Sequence, residues 1–398
     1  MAPPRTVIEL LTIPNPVVTL SERHRAKSTS VSKRSYYPTV RRLKPWTEFS
    51  IKTLQVLFDK RLWVLLKAET PNLCVPMEVD ANSRTIVEER SIEALVLKWN
   101  HTIIDHALSK TAVRFLGQNV HMVIGPQSTL TFDEHKTKPD WGAICDRQQH
   151  SSILPGDSKC GIKWHSSHLD GLVNRKRDFA VPQGLQHALW PIRQVLYYCI
   201  SSNTRYGYII THQELVVLRC SYRPDSHLPD LHGKELRQHI QDNASVEYRS
   251  ISWHAKGNEA LTVNLAIYVL HILATNNGQL TNEPHGPYCP LIDEKLLPIE
   301  SQPLLVSVPS QNSCLSQDAK SFSQQVENDD SQTQAKRNDK SRNGDDSTQD
   351  EVRSATQRSR KRARDSDDDD TLALSMASSR SERKKISQTL RRSKRHRI

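Results

Sequence analysis

Over residues 85–280 the sequence predicts an α/β domain, and three observations carry that prediction. Apolar spacing alternates between the helical period and the strand period, in the order helix, three strands, helix, strands, helix. Residues 51–300 balance twenty-six Lys/Arg against twenty-six Asp/Glu, which suits a folded core. The excess positive charge sits outside it: nine Lys/Arg against three Asp/Glu in residues 1–50, and twenty against fifteen in 301–398. At 398 residues the chain has room for one large domain or two small ones.

Taken in order, residues 1–49 read as a basic, disordered N-terminal segment, and 50–84 as a helical cap in which SIKTLQVLFDKRLWVLLK (50–67) has helical spacing. Thr85-Ile-Val-Glu88 fits a capping box and opens a helix running to Lys110. Val120–Ile124, Trp141–Ile144 and Ile153–Leu154 are the three strand candidates, the last two separated by the polar loop DRQQHSS. PIRQVLYYCISS follows as a helix with Pro191 at its first position. RYGYIIT and ELVVLRC read as paired strands turning at His212-Gln213, VEYRSISW (246–253) as another strand, and LTVNLAIYVLHILA (261–274) as a buried helix.

Residues 281–300 read as a linker. From Ser301 the chain is rich in Ser, Gln, Asp and Arg with almost no aromatics, so it buries too little apolar surface to offset its ordering entropy and is expected to be disordered. That tail carries basic clusters at 358–364, 383–385 and 391–397, beside an acidic run at Asp367–Asp370. Such clusters are read as nuclear import signals or nucleic-acid contacts, giving a nuclear or otherwise cytoplasmic expectation. No segment reaches the ~20 apolar residues of a membrane span, and the N-terminus is a poor secretion signal. Seven cysteines without a CxxC pair suit reduced thiols, with Cys145, Cys160 and Cys199 as small buried hydrophobes.

The chemistry concentrates between Lys138 and Trp164. Asp140 and Asp157 each stand beside a short apolar run, and Lys159 follows two residues after the second. If those runs are neighbouring strands, their ends place two carboxylates and an ammonium in one small volume. Such a trio can hold Mg²⁺ (or Mn²⁺) against a phosphodiester and offset the charge that develops when water attacks. The blander reading makes Asp157–Lys159 a surface ion pair after a Pro155-Gly156 turn. Pro-Asp recurs at Pro224-Asp225 and Pro229-Asp230, and acidic-x-Lys at Glu134–Lys136. What separates the 140/157/159 set from these is its place at the ends of apolar runs.

The element order, with Pro139-Asp140 on the second strand and Asp157-Ser158-Lys159 on the third, resembles the PD-(D/E)XK (restriction-endonuclease-like) superfamily. Gln194 and Tyr198 on the following helix match the QxxxY motif of its RecB-like branch. The run from LPGDSKCGIKW through RQVLYYCISSNTRYGYIITHQELVVLR is similar to a group of fungal proteins assigned to that superfamily. The resemblance covers about 85–280.

It implies a central mixed sheet flanked by helices in the order αβββαβ, with Asp140, Asp157 and the Ser158 carbonyl as metal ligands and Lys159 as the group acting on water. It also implies a carboxylate from the first helix. Glu93 is the candidate there, with Glu88 and Glu89 competing. Gln194 and Tyr198, four apart and so on one helical face, would lie near metal-bound water and DNA; the alternative packs Tyr198 in the core.

Lys163, Arg175, Lys176, Arg177 and Arg193 are candidates for backbone phosphates. Trp164 and Trp253 are either stacking platforms or core residues. His165-Ser-Ser-His168 lacks the partners of a zinc site, and no nucleophile elbow or P-loop is present. Two functions follow: a Mg²⁺-dependent nuclease, DNA favoured over RNA, or a nuclease-fold protein that binds nucleic acid or acts as a scaffold without turnover.

Overall fold

The alternating apolar residues build one seven-stranded mixed sheet with helices on both faces. The computed structural model describes residues 3–21, 33–125, 138–147, 152–161, 163–170, 180–222, 233–280 and 290–298. These belong to one compact unit, Met1–Leu304; the remainder, Leu305–Ile398, lies outside the described residues, as do the expectations placed on it. In chain order the elements are α1 (Val7–Leu11), β1 (Thr19–Leu20), β2 (Val40–Pro45), α2 (Ile51–Val56), α3 (Arg61–Lys67), β3 (Thr85–Ile86), α4 (Glu89–Val96) and α5 (Thr102–Leu116). Then come β4 (Val120–Ile124), β5 (Trp141–Cys145), β6 (Gly156–Ser158), α6 (Trp190–Ser201), β7 (Tyr206–Ile210), β8 (Glu214–Tyr222), α7 (Gly233–Asn243), β9 (Ala244–Ser252) and α8 (Val263–Asn277).

The sheet order is β2-β9-β8-β7-β6-β5-β4. β2 pairs parallel with β9 and β6 with β7; the other neighbours are antiparallel. Period-2 alternation sorts the central strands onto two cores. Tyr206, Tyr208, Ile210, Leu215 and Val217 join the cluster under α1, α5 and α8, whereas Ile209, Val216, Leu218 and Cys220 join the one under α6. Both faces are covered, so these strands are apolar throughout rather than half polar.

Several expectations need correction. The described part of residues 1–49 is not a disordered segment: α1 packs Val7, Ile8, Leu10 and Leu11 into the main core, and β2 is an edge strand of the sheet. The Thr262 hydroxyl donates to Leu11 O at 2.7 Å, and the Trp253 indole to Pro16 O at 2.8 Å. The physical reason is averaging: the segment's charge lies largely between Arg23 and Lys44, while VIELLTIPNPVV (7–18) is almost wholly uncharged and apolar.

The helix expected at 50–67 is broken, because Phe58, Asp59 and Lys60 all adopt left-handed backbone (φ 52°, 56° and 67°) between α2 and α3. Thr85 does not cap a helix; Thr85-Ile86 pairs with Thr19-Leu20, and α4 starts after Glu88, whose N–H donates to the Ser91 hydroxyl at 3.3 Å. That helix continues through one wide π turn at Leu97–His101 and ends at Leu116 rather than Lys110. The third strand is Gly156–Ser158; Ile153 and Leu154 are buried just before it. Part of the expected linker, residues 290–298, packs back on the domain: Leu291 is buried, and its N–H donates to Glu48 at 2.8 Å.

Candidate active site

β5 and β6 meet at a single register pair, Trp141↔Gly156, and this crossing brings the two aspartates together. Gly156 is required there: a Cβ would stand 2.3 Å from the Tyr208 ring. Asp140, just before β5, accepts the Ser158 N–H at 2.7 Å, and the Trp141 indole donates to the Ser158 hydroxyl at 2.8 Å. Asp157 lies on β6, opposite Ile209 of β7, and is only 1 % exposed. Lys159 continues the strand with its N–H on Ile210 O at 2.9 Å and is 4 % exposed.

The Lys159 ammonium is ion-paired with Asp157, donates to Glu89 at 3.2 Å and reaches Ser158 O at 3.1 Å. Glu89 comes from the first turn of α4 and also pairs with Lys163 at 3.3 Å. From α6, the Gln194 amide donates to Asp157 Oδ1 at 3.0 Å and to the Tyr198 hydroxyl at 2.8 Å. Tyr198 in turn donates to Lys138 O at 3.0 Å. The chain Lys138–Tyr198–Gln194–Asp157 therefore fixes one oxygen of the buried carboxylate, while Gln194 Oε1 is buried without a hydrogen-bond partner.

Burial dominates the electrostatics. It pushes the Asp140 carboxyl up to about 6 against the attraction of Lys159, with Glu93 and Glu89 adding to the rise. Asp157 is pushed up to about 7 by burial and by Asp140, again against Lys159. Burial works against the Lys159 charge, but Asp157, Glu89 and Asp140 together outweigh it and hold the ammonium above its ordinary value. Glu93 is also raised, by burial and then by the charge of Glu89. Fully ionised, the four carboxylates Asp140, Asp157, Glu89 and Glu93 face three cations, Lys159, Lys163 and Arg90, leaving one negative charge uncompensated. A buried centre with that imbalance favours either protons or a divalent cation.

Of the residues singled out from sequence, Asp140, Asp157, Ser158, Lys159, Gln194 and Tyr198 are brought together. Glu93 is close enough to help raise Asp140, but Glu89 makes the direct contact with Lys159. Arg193 is a correction: it is 8 % exposed, donates to Pro38 O at 2.8 Å and Tyr37 O at 2.7 Å, and lies over the Trp190 ring at 3.9 Å. Through these two carbonyls it pins the N-terminal segment to α6, and so covered it is not presented to a phosphate. Tyr198 is likewise buried and positions Gln194 rather than facing a ligand. Trp164 and Trp253 are core residues. Lys163 spends its charge on Glu89. Arg175, Lys176 and Arg177 lie outside the described residues.

Tyr37 escaped the sequence reading. Burial first, then Tyr36 and Asp157, push its hydroxyl up to about 12, which puts the N-terminal segment beside the carboxylates. An adjacent pair of tyrosines in a segment otherwise read as disordered was the available signal.

Among the described residues no group of three or more His, Cys, Asp or Glu side chains is spaced as a metal site. The donors present are nonetheless of the kind Mg²⁺ accepts, being two carboxylates and the Ser158 carbonyl, with water filling the other positions. Asp157 and the Ser158 carbonyl converge on one cation, the Lys159 ammonium, so these two donors are the part of the set arranged to meet a positive charge. No known protein family, curated protein or solved structure matches the chain.

Proposed function

We propose that this chain is a Mg²⁺-dependent nuclease of the PD-(D/E)XK type, hydrolysing phosphodiester bonds in nucleic acid, with DNA the first substrate to test. The observation that carries the reading is the convergence of Asp140, Asp157 and Lys159 at the crossing of β5 and β6, with Gln194 of α6 on the same carboxylate. Asp140, Asp157 and the Ser158 carbonyl would hold the ion, which when bound activates water and neutralises phosphate charge.

The protein's own groups divide the remaining work. Lys159 stays protonated, so it serves as a hydrogen-bond donor and positive charge for the phosphate as charge builds, not as a base. Gln194, braced by Tyr198, keeps Asp157 in one orientation. Glu89 holds the lysine tip until a phosphate oxygen competes for it. Basic clusters at 358–364, 383–385 and 391–397 suit a protein that works on a polyanion in the nucleus.

One observation favours a second reading. The three N–H groups of Lys159 are matched by Asp157, Glu89 and Ser158 O, which suits a closed ion-pair network retained in a nucleic-acid-binding or scaffold protein. Thermal unfolding of the full chain separates the two. A metal site predicts that millimolar Mg²⁺ or Mn²⁺ raises the Tm, and that Asp157→Asn abolishes the rise. An unchanged Tm would favour the closed network.

A further inference from the structure

A cleft lies at the other end of β5 from the acidic centre. Asp140 precedes this strand, and Arg147 follows its far end seven residues later, roughly 20 Å away at the rise of an extended chain. The cleft has a volume of about 500 Å³, within the range of small-molecule sites. Three arginines line it: Arg61 at the start of α3, Arg114 in the last turn of α5, and Arg147 in the turn after β5. Among the described residues none that lines it is acidic. Arg61 has one carboxylate nearby, the exposed Asp59 at 4.0 Å, a pair that solvent largely screens. Dipole compensation at the end of α5 accounts for Arg114 alone and not for the other two.

The inner surface differs from this charged rim. Phe115 and Leu296 supply apolar wall, and Gln118 supplies a polar group that is 4 % exposed. Gly117 closes α5 in the left-handed conformation (φ 70°), and Gln118 follows it into the interior. Its carboxamide oxygen is buried and has no hydrogen-bond partner. A buried acceptor oxygen without a partner is costly unless something completes it. The carboxamide offers a donor and an acceptor side by side, the pattern that matches the edge of a nucleobase.

Cationic rim, apolar wall and an inner amide with an unpaired oxygen together specify a ligand with an anionic head and a flat hydrogen-bonding body. We propose that this cleft binds a nucleoside phosphate, its phosphates on Arg61, Arg114 and Arg147 and its base against Phe115 with an edge on Gln118. The site is separate from the acidic centre and does not depend on the nuclease reading.

Isothermal titration of the full chain with ADP, in EDTA so that no metal bridges nucleotide to the carboxylates, tests it. ADP should bind saturably, with adenosine and inorganic pyrophosphate each at least tenfold weaker because each lacks half of the contacts. The double variant Arg114→Gln/Arg147→Gln, at exposed positions tolerant of change, should weaken ADP at least tenfold, and Gln118→Leu should lower the preference for ADP over pyrophosphate. No saturable binding at millimolar ADP would overturn the proposal. So would unaltered binding by the double variant, which would place the nucleotide on the basic tails, or pyrophosphate binding as tightly as ADP.

Discussion

Asp157 carries opposite demands from folding and from chemistry. Its carboxyl is buried on β6 and raised to about 7, and its neighbour Asp140 is raised to about 6, from an unfolded value of 3.8. Between about pH 4 and 7 the folded chain therefore binds more protons than the unfolded one, and stability from these groups falls as pH rises through that window. In EDTA, the wild-type Tm should drop from about pH 5 to about pH 8 by more than that of Asp157→Asn, which has no charge to bury there. Equal slopes for the two proteins would show that the carboxylate is not destabilised by burial. Magnesium should act chiefly at the alkaline end, where the carboxylates are free of protons. Of this residue-level picture, Asp140, Asp157 and Lys159 were legible from their places beside apolar runs, and Gln194 and Tyr198 only through the resemblance to a QxxxY motif. The choice of Glu89 over Glu93 was not legible: it depends on where α4 starts, and that turns on Ser91 capping Glu88 rather than on the Thr85 pattern.

At the scale of elements, strands with an apolar signal were readable and the strand that matters most was not. β4, β5, β7, β8 and β9 each announce themselves by apolar or alternating residues. β6 is Gly-Asp-Ser, three residues of poor strand propensity, and it exists because β5 and β7 flank it. Local preference yields there to the pairing with its two neighbours. The Gly156→Ala variant should test how tightly that strand is held. Its Cβ would press on the Tyr208 ring within a fixed ladder, so overpacking should cost on the order of 1–3 kcal/mol in a urea titration. A cost near zero would mean that β6 moves freely, and with it Asp157.

For the whole molecule, the sequence pattern located the sheet and its two flanking layers but drew the domain too small. Charge averaged over residues 1–49 hid α1 and β2, and the PIRQVLYYCISS helix gave no sign that Tyr37 and Pro38 would cover it and claim Arg193. If the N-terminal segment belongs to the core, Leu10→Ala, at a position with 0 % exposure, should cost about 2–5 kcal/mol of unfolding free energy. A loss under about 0.5 kcal/mol, the level of surface substitutions, would return the segment to the status of a tail. The central claim concerns what this assembled domain does to nucleic acid. The most direct measurement is cleavage of labelled single- and double-stranded DNA and RNA by the full chain with Mg²⁺, Mn²⁺ or EDTA, beside Asp157→Asn and Lys159→Ala. The account predicts metal-dependent cleavage, absent in EDTA and in both variants. A folded wild-type chain that binds nucleic acid in Mg²⁺ and leaves every substrate intact would contradict it.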